Sequence, residues 1–147
     1  MADALCKLIN DSNAKIQLHV LENFSKTFSL ISPYIEQFIQ IFYKATLSNL
    51  GSSNLGVRKN SEQILKQINE MNNEKMQLLQ PLMNMIQFNS NARLKPALID
   101  QLIDMLDQRS EKESHVFKAV LPLSYKLLDD NKIEVKQRTE KLFKKLY

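Results

Sequence analysis

A chain of 147 residues with a net charge of +4 is sized for one domain with a continuous core, and it contains no apolar run long enough to span a bilayer. Two glycines and an abundance of Leu, Ile, Lys, Gln and Glu favour helix throughout. The start, Met1-Ala2-Asp3-Ala4, lacks the basic and apolar segments of a secretory signal, and the lone Cys6 excludes an internal disulfide. Both features point to a reducing, cytoplasmic setting. The charge is uneven: residues 1–74 balance seven Lys/Arg against seven Asp/Glu, so the whole excess lies in residues 75–147.

Taken in chain order, the sequence alternates amphipathic stretches with short polar breaks. Ala4 to Asn10 predicts a short helix. Asp11-Ser12-Asn13 is turn chemistry whose side chains cap a second helix with the stripe Ile16, Val20, Phe24, Phe28 and Ile31. Ser32-Pro33 predicts the start of the next helix, because a proline fits the first helical turn. Ile35, Phe38, Ile39 and Phe42 form its buried face. Gly51-Ser52-Ser53-Asn54 then breaks the chain before the stripe Val57, Ser61, Ile64, Leu65 and Ile68. The segment from Glu70 to Glu74 reads as a polar connector. A third pair has Met76, Leu79, Leu82, Met83 and Ile86, the break Asn89-Ser90-Asn91, and then Leu94, Leu98, Leu102, Met105 and Leu106. Gln108 to Ser114 reads as a charged turn. The fourth pair has Val116, Val120, Leu123, Leu127 and Leu128, the break Asp129-Asp130-Asn131, and then Val135, Thr139, Leu142, Phe143 and Leu146.

One motif recurs at the four breaks: Asn13-Ala14-Lys15-Ile16, Asn54-Leu55-Gly56-Val57, Asn91-Ala92-Arg93-Leu94 and, one residue longer, Asn131-Lys132-Ile133-Glu134-Val135. The anchors Ile16, Val57, Leu94 and Val135 stand 41, 37 and 41 residues apart. A period in this range is the mark of stacked helical repeats. Pro81 and Pro122 each precede their anchor by thirteen residues, which places a kink at the same point of two first helices. The expected fold is all-α: an α-solenoid of about four helical hairpins, eight helices, in one domain, with repeats near 1–31, 32–72, 73–108 and 111–147.

The hairpin with a proline in its first helix, and Asp/Asn followed by Val-Lys/Arg at the start of its second, resembles the HEAT repeat. Val120-Leu121-Pro122-Leu123 and Asp129-Asp130-Asn131-Lys132-Ile133-Glu134-Val135-Lys136 carry the resemblance most clearly, with Ser53 to Lys59 and Asn10 to Ile16 as looser matches. Among HEAT proteins the chain is similar to the TOG domain, a tubulin-binding module of microtubule regulators. It departs from that pattern in having fewer repeats and no tryptophan. The departures imply either altered binding or membership of a larger repeat unit.

The resemblance implies that the turns within the hairpins line one edge and meet αβ-tubulin or the microtubule lattice. Carried over by position, the edge residues are Asn13, Lys15, Asn54, Arg58, Lys59, Arg93, Lys95, Lys132 and Lys136. It further implies a role in microtubule regulation at the cytoskeleton, with the cilium or centrosome as the setting. The physical logic also stands by itself, since a row of cations at successive turns would steer an acidic partner. The alternative is a HEAT scaffold that docks another protein through the groove of its second helices. Apolar repeat ends further imply self-association or packing on more repeats.

No catalytic, metal or cofactor chemistry is expected. His19 and His115 lack ligand spacing, Cys6 sits among small apolar residues, and the two glycines form no phosphate loop. Asp100, Asp104 and Asp107 recur at helical spacing; that pattern could hold a cation, but it reads rather as a solvated face or as a contact for the lysine of a binding partner. Nucleic acid is not expected either, because no aromatic or base-reading set repeats at equivalent positions. Phe24, Phe38, Phe42 and Phe143 lie on apolar stripes and read as buried, whereas Tyr34, Tyr43 and Tyr125 read as partly exposed.

Overall fold

The computed structural model describes residues 2–71, 76–107 and 114–146. The described residues are all helix and turn: α1 (Ala2–Ile9), α2 (Ala14–Ile35), α3 (Ile39–Ser48), α4 (Leu55–Met71), α5 (Met76–Phe88), α6 (Leu94–Asp107), α7 (Ser114–Leu128) and α8 (Ile133–Leu146). Single 3-10 turns at Glu36–Phe38 and Asn49–Gly51 bracket α3. All but the last residue of the expected charged turn at 108–114 and most of the polar connector at 70–74 lie outside the described residues, as do the side chains of Ile35 and Met76. The chain divides into two compact units, Met1–Leu78 and Leu79–Tyr147.

In the first unit, α1 pairs with α2 and α3 with α4, while α2 lies along α4 and α1 along α3. Pairing of hairpin partners, plus side-by-side stacking of like helices, is the packing of an α-solenoid. The expected stripe of α4 is buried in full: Val57, Ile64, Leu65 and Ile68 are inaccessible, and Ser61 fills the same line. Phe24 of α2 stacks on Phe42 of α3 with ring centroids 5.8 Å apart and meets Phe28 edge-on at 5.9 Å. The Phe24–Phe42 contact joins the second helix of one hairpin to the first helix of the next.

The structure departs from the sequence pattern in α2. Its buried line is Gln17, Leu21, Phe24, Ser25 and Phe28, so the predicted anchor Ile16 stays 44% exposed and Val20 and Ile31 are half-buried. The helix is turned by one residue because Gln17 is drawn inward. Its Nε2 donates to the Ile9 carbonyl and to Asn49 Oδ1, each at 2.9 Å, and Asn49 Nδ2 donates to the same carbonyl at 3.0 Å. One buried node thus ties the end of α1, the start of α2 and the 3-10 turn after α3. A second departure is that α2 runs on through Ser32-Pro33 to Ile35, so no helix starts there. Tyr43 is fully buried rather than exposed; its hydroxyl has no partner, and burial pushes its ionisation upward.

In the second unit, α7 pairs with α8 and α8 lies along α6. Val116, Val120, Leu123 and Leu127 of α7 are buried, as are Leu94, Leu98, Leu102 and Met105 of α6 and Val135, Thr139, Leu142 and Leu146 of α8. Leu128 is exposed at the end of α7, and Phe143 is half-buried and meets the exposed Tyr125 edge-on at 5.4 Å. Helices α5 and α7 continue through Pro81 and Pro122.

The buried node sets a clear expectation. Asn49→Ala removes two hydrogen bonds and leaves Gln17 and the Ile9 carbonyl short of partners without water to replace them. The loss should be about 2–3 kcal/mol, read by urea unfolding. A loss below about 0.5 kcal/mol would mean that the node is not formed.

Candidate functional site: the turns within the hairpins

Each second helix needs acceptors for its first amide groups, and the residue that opens the helix is fixed by the same device at all four turns. Two residues before the helix-capping position, a side-chain oxygen accepts from the backbone of that residue. Asp11 Oδ1 accepts from Asn13 N at 2.7 Å, Ser52 Oγ from Asn54 N at 3.2 Å, Asn89 Oδ1 from Asn91 N at 2.8 Å, and Asp130 Oδ1 from Lys132 N at 3.0 Å. The carbonyl of the capping residue then takes the first intrahelical bond, from Gln17, Arg58, Lys95 and Lys136 respectively. In three turns the capping side chain also accepts: Asn13 from Lys15 N, Asn54 from Gly56 and Val57 N, and Asn91 from Arg93 and Leu94 N. Asn13 itself is extended, with φ −82° and ψ 106°, as a residue just outside a helix should be.

The fourth turn corrects the sequence reading. The capping position belongs to Lys132, three residues before Val135, as Asn13, Asn54 and Asn91 stand three before Ile16, Val57 and Leu94. The motif is therefore not longer; lysine has replaced asparagine. Lacking an acceptor, Lys132 instead sends its Nζ 2.5 Å to the Ser90 carbonyl of the third turn. In return, Lys95 Nζ at the third turn reaches Asp130 Oδ2 of the fourth at 2.6 Å, with both side chains largely shielded. The two contacts cross-brace neighbouring turns. The Lys95 ammonium holds the Asp130 carboxyl below the usual carboxylate range, helped by the Lys132 amide and opposed by burial.

Further along the same two helices, Arg138 Nε meets Asp100 Oδ2 at 2.8 Å and Lys145 Nζ meets Asp107 Oδ1 at 2.7 Å. Both pairs join residues 38 positions apart, three fewer than separate the anchors Leu94 and Val135. Two of the three acids that read as a solvated face are thus spent on the fold. Asp104 lies between them, and its carboxyl is pushed upward by burial and by its two acidic neighbours. Half of the basic C-terminal run is consumed in the same way, by Lys132, Arg138 and Lys145.

The nine candidate edge residues therefore fall into three groups. Asn13 and Asn54 are caps. Arg58, Lys95 and Lys132 are bound internally; the Arg58 guanidinium clamps its own turn, Nη1 lying 2.7 Å from the Ser52 carbonyl and 3.1 Å from that of Ser53. Lys15, Lys59, Arg93 and Lys136 are exposed, and Lys15, Lys59 and Lys136 make no ion pair among the described residues. Exposed aliphatic side chains at the first helical position, Leu55 and Ile133, stand beside these cations in the second and fourth turns.

Among the described residues no group of three His, Cys, Asp or Glu side chains is placed to hold a metal ion. The Cys6 thiol is half-buried, with its ionisation pushed up by burial and by Asp3. His19 Nε2 sits 3.2 Å from Asn23 Nδ2 on its own helix. No helix among the described residues is long and apolar enough to cross a membrane.

With the turns in view, comparison with known proteins adds one direction. No protein-family model matches the chain. It is 25% identical over 114 residues to the human protein described as TOG array regulator of axonemal microtubules protein 1. The matched stretch covers 77% of this chain and 6% of that relative. The chain is thus similar to a small segment of a regulator of axonemal microtubules.

The ionisations set the response to pH. Asp130 titrates lower in the fold than unfolded, so its stabilisation is present above the ordinary carboxylate range and is lost as pH falls through its depressed folded value. Asp104 titrates higher when folded, so its ionisation works against the fold as pH rises through its raised value. Thermal melts from acid to neutral pH should show Asp130→Asn flattening the acid limb and lowering neutral stability, by about 1–2 kcal/mol for a shielded pair. Asp104→Asn should raise neutral stability. Identical pH profiles for wild type and Asp130→Asn would contradict the assignment.

Proposed function

We propose that this chain is a HEAT-repeat, TOG-like module that binds αβ-tubulin or the microtubule lattice through its intra-hairpin turns and acts in microtubule regulation. The observation that carries the reading is the repeated turn itself. Every second helix opens on the same capped corner, and three corners hold an exposed, unpaired lysine: Lys15, Lys59 and Lys136. Fixed backbone with mobile cations is a fitting surface for an acidic partner, because the capping bonds hold the corner still while the lysines reach outward. The relative's description as a regulator of axonemal microtubules supports this partner class. It also supports placement at the cytoskeleton, with the cilium or centrosome as the setting.

One observation favours a second reading, a HEAT scaffold that docks a different protein. Arg58, Lys95 and Lys132 are already committed to intramolecular partners, so the edge presents fewer available cations than its sequence suggests. Under that reading the grooves lined by second helices carry the partner.

The two readings separate by mutation. The triple reversal Lys15→Glu, Lys59→Glu and Lys136→Glu touches no internal contact and should leave helicity and melting temperature unchanged. Under the tubulin reading it should weaken co-elution with αβ-tubulin by at least about tenfold, and wild-type binding should fall with added salt. Wild-type protein that ignores tubulin at low salt, or a triple variant that binds as tightly as wild type, would overturn the edge model.

A further inference from the structure

The residue just before the capping position is serine in three of the four turns: Ser12, Ser53 and Ser90, with Asn131 in the fourth. All three serines are exposed. The residues on either side of them accept the bonds that fix each corner, but the serine hydroxyls make no hydrogen bond among the described residues. A hydroxyl that returns at one place in three corners, and holds nothing in any of them, is open to chemistry from outside.

Two of these serines also carry a cation on their own backbone. Arg58 Nη1 donates to the Ser53 carbonyl at 3.1 Å, and Lys132 Nζ donates to the Ser90 carbonyl at 2.5 Å. The carbonyl and the hydroxyl of one serine are only a few bonds apart. Each cation is therefore held within reach of any group attached at that serine's Oγ. Ser12 differs: among the described residues no cation is bonded to its carbonyl, and Lys15 nearby is exposed.

We propose that Ser53 and Ser90 are phosphorylation sites, and that phosphate there switches off the cationic corners. The serine Oγ attacks the γ-phosphorus of a nucleoside triphosphate held by a protein kinase. The Oγ–P bond forms as the bond to the departing nucleoside diphosphate breaks, and the hydroxyl proton passes to the base of the kinase. The new group carries about −1.5 to −2 charge at neutral pH and accepts charge-assisted hydrogen bonds. Arg58 then holds the phosphate of Ser53 and Lys132 that of Ser90, each exchanging a neutral carbonyl for an anion. Asp130 also faces Lys132, but its carboxylate is engaged by Lys95 at 2.6 Å. One phosphate outweighs the single cation that holds it, so the surplus negative charge offsets Lys59 in the second turn and Lys136 in the fourth. An acidic partner is then repelled. This regulatory step rests on the tubulin reading, whereas the phosphate sites themselves do not.

The probe is the chain with phosphoserine placed at 53, at 90 or at 12 during synthesis. Phosphorus NMR should show the phosphates at 53 and 90 ionising below the value of about 6 for a free phosphoserine. Arg58→Gln and Lys132→Gln should each return the matching phosphate toward that value. The phosphate at 12, with the same helix start but no held cation, should ionise higher than the other two. Phosphate at both 53 and 90 should weaken co-elution with αβ-tubulin by about tenfold. Phosphopeptide mapping of the protein from the cells that make it should find both serines modified. Titrations indifferent to Arg58→Gln and Lys132→Gln, tubulin binding unchanged by phosphate, or both serines unmodified in cells would each overturn the proposal. Unphosphorylated protein that ignores tubulin would overturn the tubulin reading instead, and titration and mapping would still decide whether Ser53 and Ser90 are phosphate sites.

Discussion

A helix can begin inside a folded protein only if something accepts the hydrogen bonds of its first amide groups. Three second helices meet that requirement with a capping asparagine side chain, and at all four an acceptor two residues before the cap fixes the capping residue, whose carbonyl takes the first bond of the helix. Each asparagine cap is worth about 1 kcal/mol. The larger effect of the turn is geometric, since it sets where every second helix starts, and those helices form the stacked core in each unit. The stripes Val57 to Ile68 and Val135 to Leu146 face inward because their helices start in that register.

Neighbouring turns are also laced to one another, by different chemistry in the two units. In the first, Gln17, Asn49 and the Ile9 carbonyl make a neutral node that water does not reach. In the second, Lys95 with Asp130 and Lys132 with the Ser90 carbonyl make a charged cross-brace. The neutral node is insensitive to pH and salt, whereas the charged brace depends on the ionisation of Asp130. The lacing explains why cations at equivalent sequence positions have different fates. Of the three cations one residue past the anchor, Arg58 and Lys95 turn back to the protein and Lys136 faces outward; Lys15, one residue before its anchor, and Lys59, two after, also face outward. Structure and the proposed recognition thus draw on the same few residues of each corner.

The helices were legible in the sequence because their apolar residues repeat at helical intervals and their breaks carry Asn, Asp and Ser. Stripes of α4, α6 and α8 are buried nearly as their spacing predicts. Three things were not legible, each for a physical reason. Rotation of α2 depends on a buried hydrogen bond between residues 32 positions apart, Gln17 and Asn49, and no local pattern announces it. The helix runs on through Ser32-Pro33 because a proline's fit to the first helical turn is a preference and does not fix where a helix starts. The pairing of Asp100 and Asp107 with Arg138 and Lys145 was half-visible: the two pairs share one sequence offset, but nothing in their own helices says that they meet. At the candidate site, sequence could locate the corner residues but could not tell committed cations from available ones, because that depends on where each side chain finds a carbonyl or carboxylate.

The central claim is that the capped corners are the surface that meets tubulin. Hydrogen–deuterium exchange of this chain with and without αβ-tubulin tests it most directly, because exchange reads each corner separately. The account predicts slowed exchange confined to the peptides around residues 11–17, 52–59, 89–95 and 130–136, and relief of that protection by salt. Protection that falls instead on the grooves between second helices, or no protection anywhere in the presence of saturating tubulin, would contradict it.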